Sequence, residues 1–127
     1  MTKVLLVEDD TSLQNLYSRV LQKSQIDFAI ANDGVAIVDR ANIEKPDIII
    51  MDVMMPGRNG MEALVDLKKD ESTKSIPVVM LSAHEDENLM LESMQIGAKR
   101  YLIKSMLEPE NVIEIILEVL KESTDQN

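Results

Sequence analysis

Four short apolar runs punctuate the chain, at residues 4–7, 26–31, 48–51 and 76–81, and a fifth, mixed run follows at 99–103. Runs of this length that stop at Gly, Asn, Asp or Ser read as buried strands. Between them the apolar positions change period. Leu13, Leu16, Tyr17, Val20 and Leu21 fall on one helical face, and Asp10, Thr11 or Ser12 can cap its start. A weaker helix spans residues 35–43 and is stopped ahead of Pro46. Met61, Leu64, Val65 and Lys68 share a face of a third helix starting near Asn59. Residues 85–95 form a fourth, ended by Gly97, and Pro109 suits the first position of a last helix carrying Val112, Ile113, Ile116 and Leu120.

Strands of near-solid Val, Ile, Leu and Met lack the polar alternation of a sheet with one wet face, so helices must cover both faces. Five strands alternating with five helices predict an α/β fold, a three-layer (βα)5 sandwich around a five-stranded parallel sheet with right-handed crossovers. Ligands in such sheets bind beyond the carboxyl ends of the strands.

At 127 residues the chain has the length of one domain. Aromatics are only 2% of it and methionines number nine, so the core must be aliphatic and methionine-rich. There is no cysteine, which excludes disulfides and thiolate metal sites. No apolar stretch approaches a membrane span, and none follows Met1 as a leader, so the expected location is cytoplasmic. The formal charge of -10 argues against nucleic acid and agrees with a basic partner or a bound cation.

The strand ends carry the candidate chemistry. The first strand runs into Glu8, Asp9 and Asp10, the third delivers Asp52, the fourth ends at Ser82 and the fifth at Lys104. Neighbouring strands lie about 4.8 Å apart, so acids leaving two of them almost touch. A hard divalent cation would relieve that repulsion, and an all-oxygen site suits Mg²⁺. A backbone carbonyl just past Asp52 could add a ligand. A carboxylate beside Mg²⁺ can attack phosphorus, with Ser82 and Lys104 of the right types to meet the phosphoryl oxygens. Asp10 is better explained as a helix-starting acid. His84 and Met54, each two residues past a strand-end group, stand at the rim, where an apolar Met54 would hinder water. Leu89, Met90, Leu91, Met94 and Ile96 exceed one helical stripe, as do Ile113, Ile115 and Ile116, and the surplus predicts a contact patch.

The segments LLVEDD, DIIIMDVMMPGRNG, VVMLSA and YLIK, in this order and spacing, resemble the receiver domain of two-component response regulators, in its chemotaxis-regulator-like single form. The likeness covers residues 1–122 and leaves residues 123–127 as a polar tail expected to fray. It implies strand order 2-1-3-4-5. It also implies Asp52 as phosphoacceptor, Asp9 as a direct Mg²⁺ ligand, Glu8 acting mainly through water, and the Met54 carbonyl completing the set. Ser82 would bond the phosphoryl group and Lys104 would pair with it. Tyr101 would follow Ser82 as a switch and alter the face made by the fourth helix, fifth strand and fifth helix. The donor would be a histidine kinase or phosphotransfer protein. The receiving partner would be a downstream protein target, an output domain or, through that same face, a second copy. Two features depart from the family. Ser105 follows Lys104 where proline with a cis bond is usual, and a cis bond before a non-proline costs about 2.5–4 kcal/mol, so trans is expected. Residues 105–108 also form a loop one residue longer than the common form, which bears on the reach of Lys104.

A rival reading is a Mg²⁺-dependent phosphohydrolase with an aspartyl nucleophile, of the haloacid-dehalogenase-like kind. Such enzymes carry a second acid two residues after the first, where this chain has Met54. A flavodoxin-like electron carrier shares the layout but needs a hydroxyl-rich phosphate loop after the first strand, where this chain has acids.

Overall fold

The computed structural model describes residues 2–55 and 57–125. Strands β1 (Lys3–Val7), β2 (Asp27–Ala31), β3 (Ile48–Asp52), β4 (Val78–Ser82) and β5 (Arg100–Ile103) alternate with helices α1 (Thr11–Lys23), α2 (Ile37–Glu44), α3 (Gly60–Lys69), α4 (Glu87–Ile96) and α5 (Pro109–Asp125). All pairings are parallel and the order is β2-β1-β3-β4-β5, as the resemblance implies.

Strand alternation sorts the interior into two layers. Leu5, Val7, Ile49, Met51, Val78 and Met80 point to one face and pack beneath α2, α3 and α4, through Ile37, Ala41, Ala63, Leu64, Leu67 and Leu89. Val4, Leu6, Ile48, Ile50, Val79 and Leu81 point to the other and meet Tyr17 and Leu21 of α1 and Val112, Ile116 and Val119 of α5. The solid apolar strands are the central ones. β3 and β4 are buried along their whole length, whereas the edge strand β5 is half-buried throughout.

The ends of the elements shift from the pattern for local reasons. Asp10 proves to be the cap of α1, its carboxylate accepting from the Ser12 and Leu13 amides. Asn59 caps α3 through the Glu62 amide, and Asp86 caps α4, which therefore begins at Glu87. The Asp33 carboxylate accepts from the Val35 amide, and this turn delays α2 to Ile37. β4 begins after Pro77, whose carbonyl accepts from the Ile49 amide. α5 continues through Ser123 and Thr124 to Asp125 where the polar composition suggests a frayed tail. Its Thr124 hydroxyl donates to the Leu120 carbonyl. The remainder of that tail, Gln126 and Asn127, lies outside the described residues, as do Met1 and the Pro56 of the central segment.

Candidate functional site

Register brings the acids together before any side chain is considered. Val7 pairs with Met51, so Glu8 leaves β1 level with Asp52 on β3. Both continue the row that holds Leu6 and Ile50, which faces α1 and α5. On β4 and β5, Ser82 continues the Val78 and Met80 row, and Tyr101 packs with that opposite layer. Glu8 and Asp52 thus occupy one face of the sheet and Ser82 and Tyr101 the other.

Glu8, Asp9 and Asp52 each offer a carboxylate oxygen within 4.8 Å of the other two, Glu8 and Asp52 buried and Asp9 exposed. The Lys104 ammonium lies between the buried pair, 2.9 Å from Glu8 Oε1 and 2.9 Å from Asp52 Oδ2. No peptide bond is cis among the described residues, so the Lys104–Ser105 bond is trans as expected. The short turn of 3-10 helix at Lys104–Met106 leaves the lysine free to reach both acids. The opposite oxygen of Asp52, Oδ1, accepts from the Met54 amide at 3.2 Å, which fixes the plane of the carboxylate.

Burial is the largest influence on Glu8 and pushes its carboxyl up to about 7, the Asp52 charge adding to it while the Lys104 hydrogen bond pulls the other way. For Lys104, burial works downward, but hydrogen bonds to Asp52 and Glu8 outweigh it and hold the ammonium above the ordinary lysine value. A carboxyl whose folded value exceeds its unfolded 4.5 binds its proton more tightly when folded. Glu8 therefore withdraws stability as pH climbs from 4.5 through about 7.

Three carboxylates against one ammonium leave a charge of two in excess when all are ionised, in an all-oxygen cluster. That excess and those donors fit a hard divalent cation such as Mg²⁺. Glu8, Asp9 and Asp52 are the side chains that would hold it.

Ser82 is buried at the end of β4, and its hydroxyl is engaged by the backbone of His84. It donates to the His84 carbonyl at 3.0 Å and accepts from the His84 amide at 3.1 Å. The Tyr101 hydroxyl donates to the same carbonyl at 3.4 Å. His84 enters through its backbone, and Met54 presents an exposed side chain at the rim.

Some participants are not evident from strand-end positions alone. Gln14 in α1 donates to the Glu8 carbonyl at 2.5 Å and to Asn32 Oδ1 at 2.8 Å, tying the acidic loop to the end of β2. Arg58 forks onto Asp66 at 2.7 and 2.9 Å and reaches Glu62 at 2.9 Å, anchoring the loop after Asp52 to α3. Gln14 lies one turn past the Asp10 cap and Arg58 four residues before Glu62, spacings that carry a signal only after the helices are fixed.

Comparison with known proteins gives a concordant picture. The family described as response regulator receiver domain matches residues 4–117. The phosphate regulon transcriptional regulatory protein PhoB of Escherichia coli is 32% identical over 113 residues, 89% of this chain and 49% of that protein. The chain thus spans about half the length of PhoB. Protein PilH of Pseudomonas aeruginosa is 33% identical over 120 residues, 94% of this chain and 98% of PilH. Among solved structures, the Vibrio cholerae chemotaxis protein CheY4 superposes with a TM-score of 0.86 at 29% identity, covering 94% of this chain and 98% of that one.

Proposed function

The chain belongs to the response regulator receiver family, and from that premise we propose that Asp52 is the group through which this two-component signalling switch is phosphorylated. A receiver is a switch and not a metabolic enzyme, which sets the phosphohydrolase reading aside. The observation that carries the assignment is the Lys104 ammonium at 2.9 Å from both Glu8 and Asp52, with an Asp9 carboxylate oxygen within 4.8 Å of oxygens of those two acids.

Asp52 Oδ2 attacks phosphorus of a phosphohistidine on a histidine kinase or phosphotransfer protein. The new oxygen–phosphorus bond forms as the phosphorus–nitrogen bond breaks, and the imidazole departs with the electron pair. The Met54 amide keeps the attacking carboxylate in plane. Lys104, released from sharing two acids, follows the transferred oxygens and pairs with them. Bound Mg²⁺, held by Asp9, Asp52, the Met54 carbonyl and, through water, Glu8, would neutralise the phosphoryl oxygens. Hydrolysis of the acyl phosphate resets the switch, and the apolar Met54 side chain at the rim slows the approach of water.

Signalling follows from the His84 carbonyl. A phosphoryl group that takes the Ser82 hydroxyl removes one of that carbonyl's two donors, and Tyr101 is left to move in on it. The face of α4, β5 and α5 then presents a different surface to the downstream protein or output domain. The receiver unit comprises residues 1–122 in this reading, with α5 running a little beyond. No helix among the described residues is long and apolar enough to cross a membrane, which agrees with work in the cytoplasm.

Incubation with acetyl phosphate and Mg²⁺, read by intact mass, tests the assignment. One phosphoryl group is expected, absent with chelator and absent in Asp52→Asn. Labelling that persists in Asp52→Asn overturns it.

A further inference from the structure

The ladder between β1 and β2 stops one acceptor short. The Glu8 amide still donates to the Ala31 carbonyl at 3.0 Å, so the Glu8 carbonyl also points toward β2, where a continued parallel ladder would offer it the Asp33 amide. β2 ends at Ala31, however, and the chain turns away through Asn32 and Asp33. Gln14 of α1 fills that role instead. Its carboxamide nitrogen donates to the Glu8 carbonyl at 2.5 Å and to Asn32 Oδ1 at 2.8 Å. A carbonyl only accepts, so the nitrogen end of Gln14 must face it. The neighbouring groups are bonded as closely: Glu8 Oε1 takes the Lys104 ammonium, Glu8 Oε2 takes the Asp10 amide at 3.2 Å, and Asp10 caps α1. These bonds fall on Glu8 and Asp10, on either side of Asp9. Asp9 itself is exposed, and the backbone they hold places its carboxylate beside Glu8 and Asp52.

We propose that Gln14 is a positioning residue of the cation site: by holding the Glu8 carbonyl, its carboxamide fixes the Glu8–Asp9 peptide and with it the direction from which Asp9 offers its oxygen. The Glu8 carbonyl and the Asp9 amide belong to one rigid plane, and a plane that tilts carries the Asp9 Cα with it. Water can bond the carbonyl when the carboxamide is gone, so what is lost is orientation rather than a partner. Asn32 holds the second hydrogen of the same nitrogen and acts one step further back. Groups that orient metal ligands typically contribute about 10–100-fold in affinity, and one acting through the backbone falls near the lower figure. The inference rests on the reading of Glu8, Asp9 and Asp52 as the Mg²⁺ site, and adds to that site a residue of α1 that does not touch the metal.

The experiment is calorimetric titration of magnesium chloride into the wild type, Gln14→Met, Asn32→Ala and the double variant, with Asp9→Asn as the reference for loss of a ligand. Met keeps the length and helix preference of Gln but cannot donate. The expected Mg²⁺ affinity is about tenfold weaker in Gln14→Met and about two- to threefold weaker in Asn32→Ala. The double variant is expected to match Gln14→Met, because Asn32 acts through Gln14. In acetyl phosphate labelling, Gln14→Met should raise the Mg²⁺ concentration for half-maximal rate about tenfold while the rate at saturating Mg²⁺ stays within about twofold. A merely structural role would lower the melting temperature in chelator and leave that concentration where it was. Unchanged Mg²⁺ affinity in Gln14→Met overturns the proposal, as does an additive loss in the double variant. Should Gln14→Met fail to fold, wild-type affinity in Asn32→Ala overturns it. The two readings separate cleanly: binding that Asp9→Asn weakens and Gln14→Met does not refutes Gln14 alone, whereas a wild type that binds no Mg²⁺, or binding indifferent to Asp9→Asn, refutes the cation site and the role of Gln14 with it.

Discussion

Lys104 holds a pair of buried acids that would otherwise repel each other, so its removal has two separable effects. In chelator at mildly alkaline pH, Lys104→Met leaves Glu8 and Asp52 without a counter-charge, and denaturant melts are expected to show a loss of about 3–5 kcal/mol. The loss shrinks toward acid pH, where Glu8, with its value near 7, is protonated and the repulsion is gone. Mg²⁺ is expected to restore most of it and to bind at least as tightly as before, because a competing cation has left the site. A variant that no longer binds Mg²⁺ would contradict the division of labour between Lys104 and the three acids. Asp66 offers a second residue-level check. The Arg58 fork holds its carboxyl below the ordinary 3.8, so the pair stabilises the fold above that pH and ceases to as pH falls through the lower folded value. Asp66→Asn should thus show a small loss of stability at neutral pH that disappears in strong acid, measured as converging thermal melts.

At the scale of elements, the junction between β3 and α3 governs the geometry of the site. Gly60 opens α3 while its amide donates back to the Val53 carbonyl, folding the loop tightly against the strand it left. A Cβ there would strike the Asp52 carbonyl oxygen and come within 2.8 Å of Val53 Cα. Gly60→Ala is therefore expected to cost about 1–3 kcal/mol, and to slow acetyl phosphate labelling because it displaces Asp52 itself. A Cβ on Gly57, where φ is +77, would come within 3.2 Å of a Val35 methyl and would meet no backbone atom among the described residues beyond its chain neighbours. Gly57→Ala should cost about 1 kcal/mol from backbone strain and leave labelling close to normal. Comparable slowing in both variants would show that the loop moves as one piece rather than through the Gly60 contact.

Over the whole molecule, the site couples to stability through ligand binding. Mg²⁺ at about a hundred times its dissociation constant should add roughly 2.7 kcal/mol, seen as a raised melting temperature that Asp9→Asn reduces. The fold and the acidic rim were legible in the sequence because both depend on patterns local to each strand: apolar runs without alternation, then a reactive residue at the stop. The two-layer packing and the cluster of Glu8, Asp9, Asp52 and Lys104 follow from them. What was not legible depends on pairing between elements. Gln14 looks like an ordinary helix residue until Asn32 and the Glu8 carbonyl come within its reach. The delayed start of α2 hides in one Asx turn. The helical Ser123–Asp125 stretch is polar by composition, yet it continues a helix whose preceding turns are docked through Val112, Ile116 and Val119.

The side-chain alternation that sends Glu8 and Asp52 to one side of the sheet and Ser82 and Tyr101 to the other has an engineering corollary. In the proposed reading Glu8 and Asp52, where the phosphoryl group is accepted, and the Tyr101 readout lie on opposite faces, and Ser82 at the tip of β4 serves both. Exchanging α4 alone for that of a relative, with the Ser82–His84 turn kept, should hand this protein a new listener while its rate of accepting phosphate stays as it was.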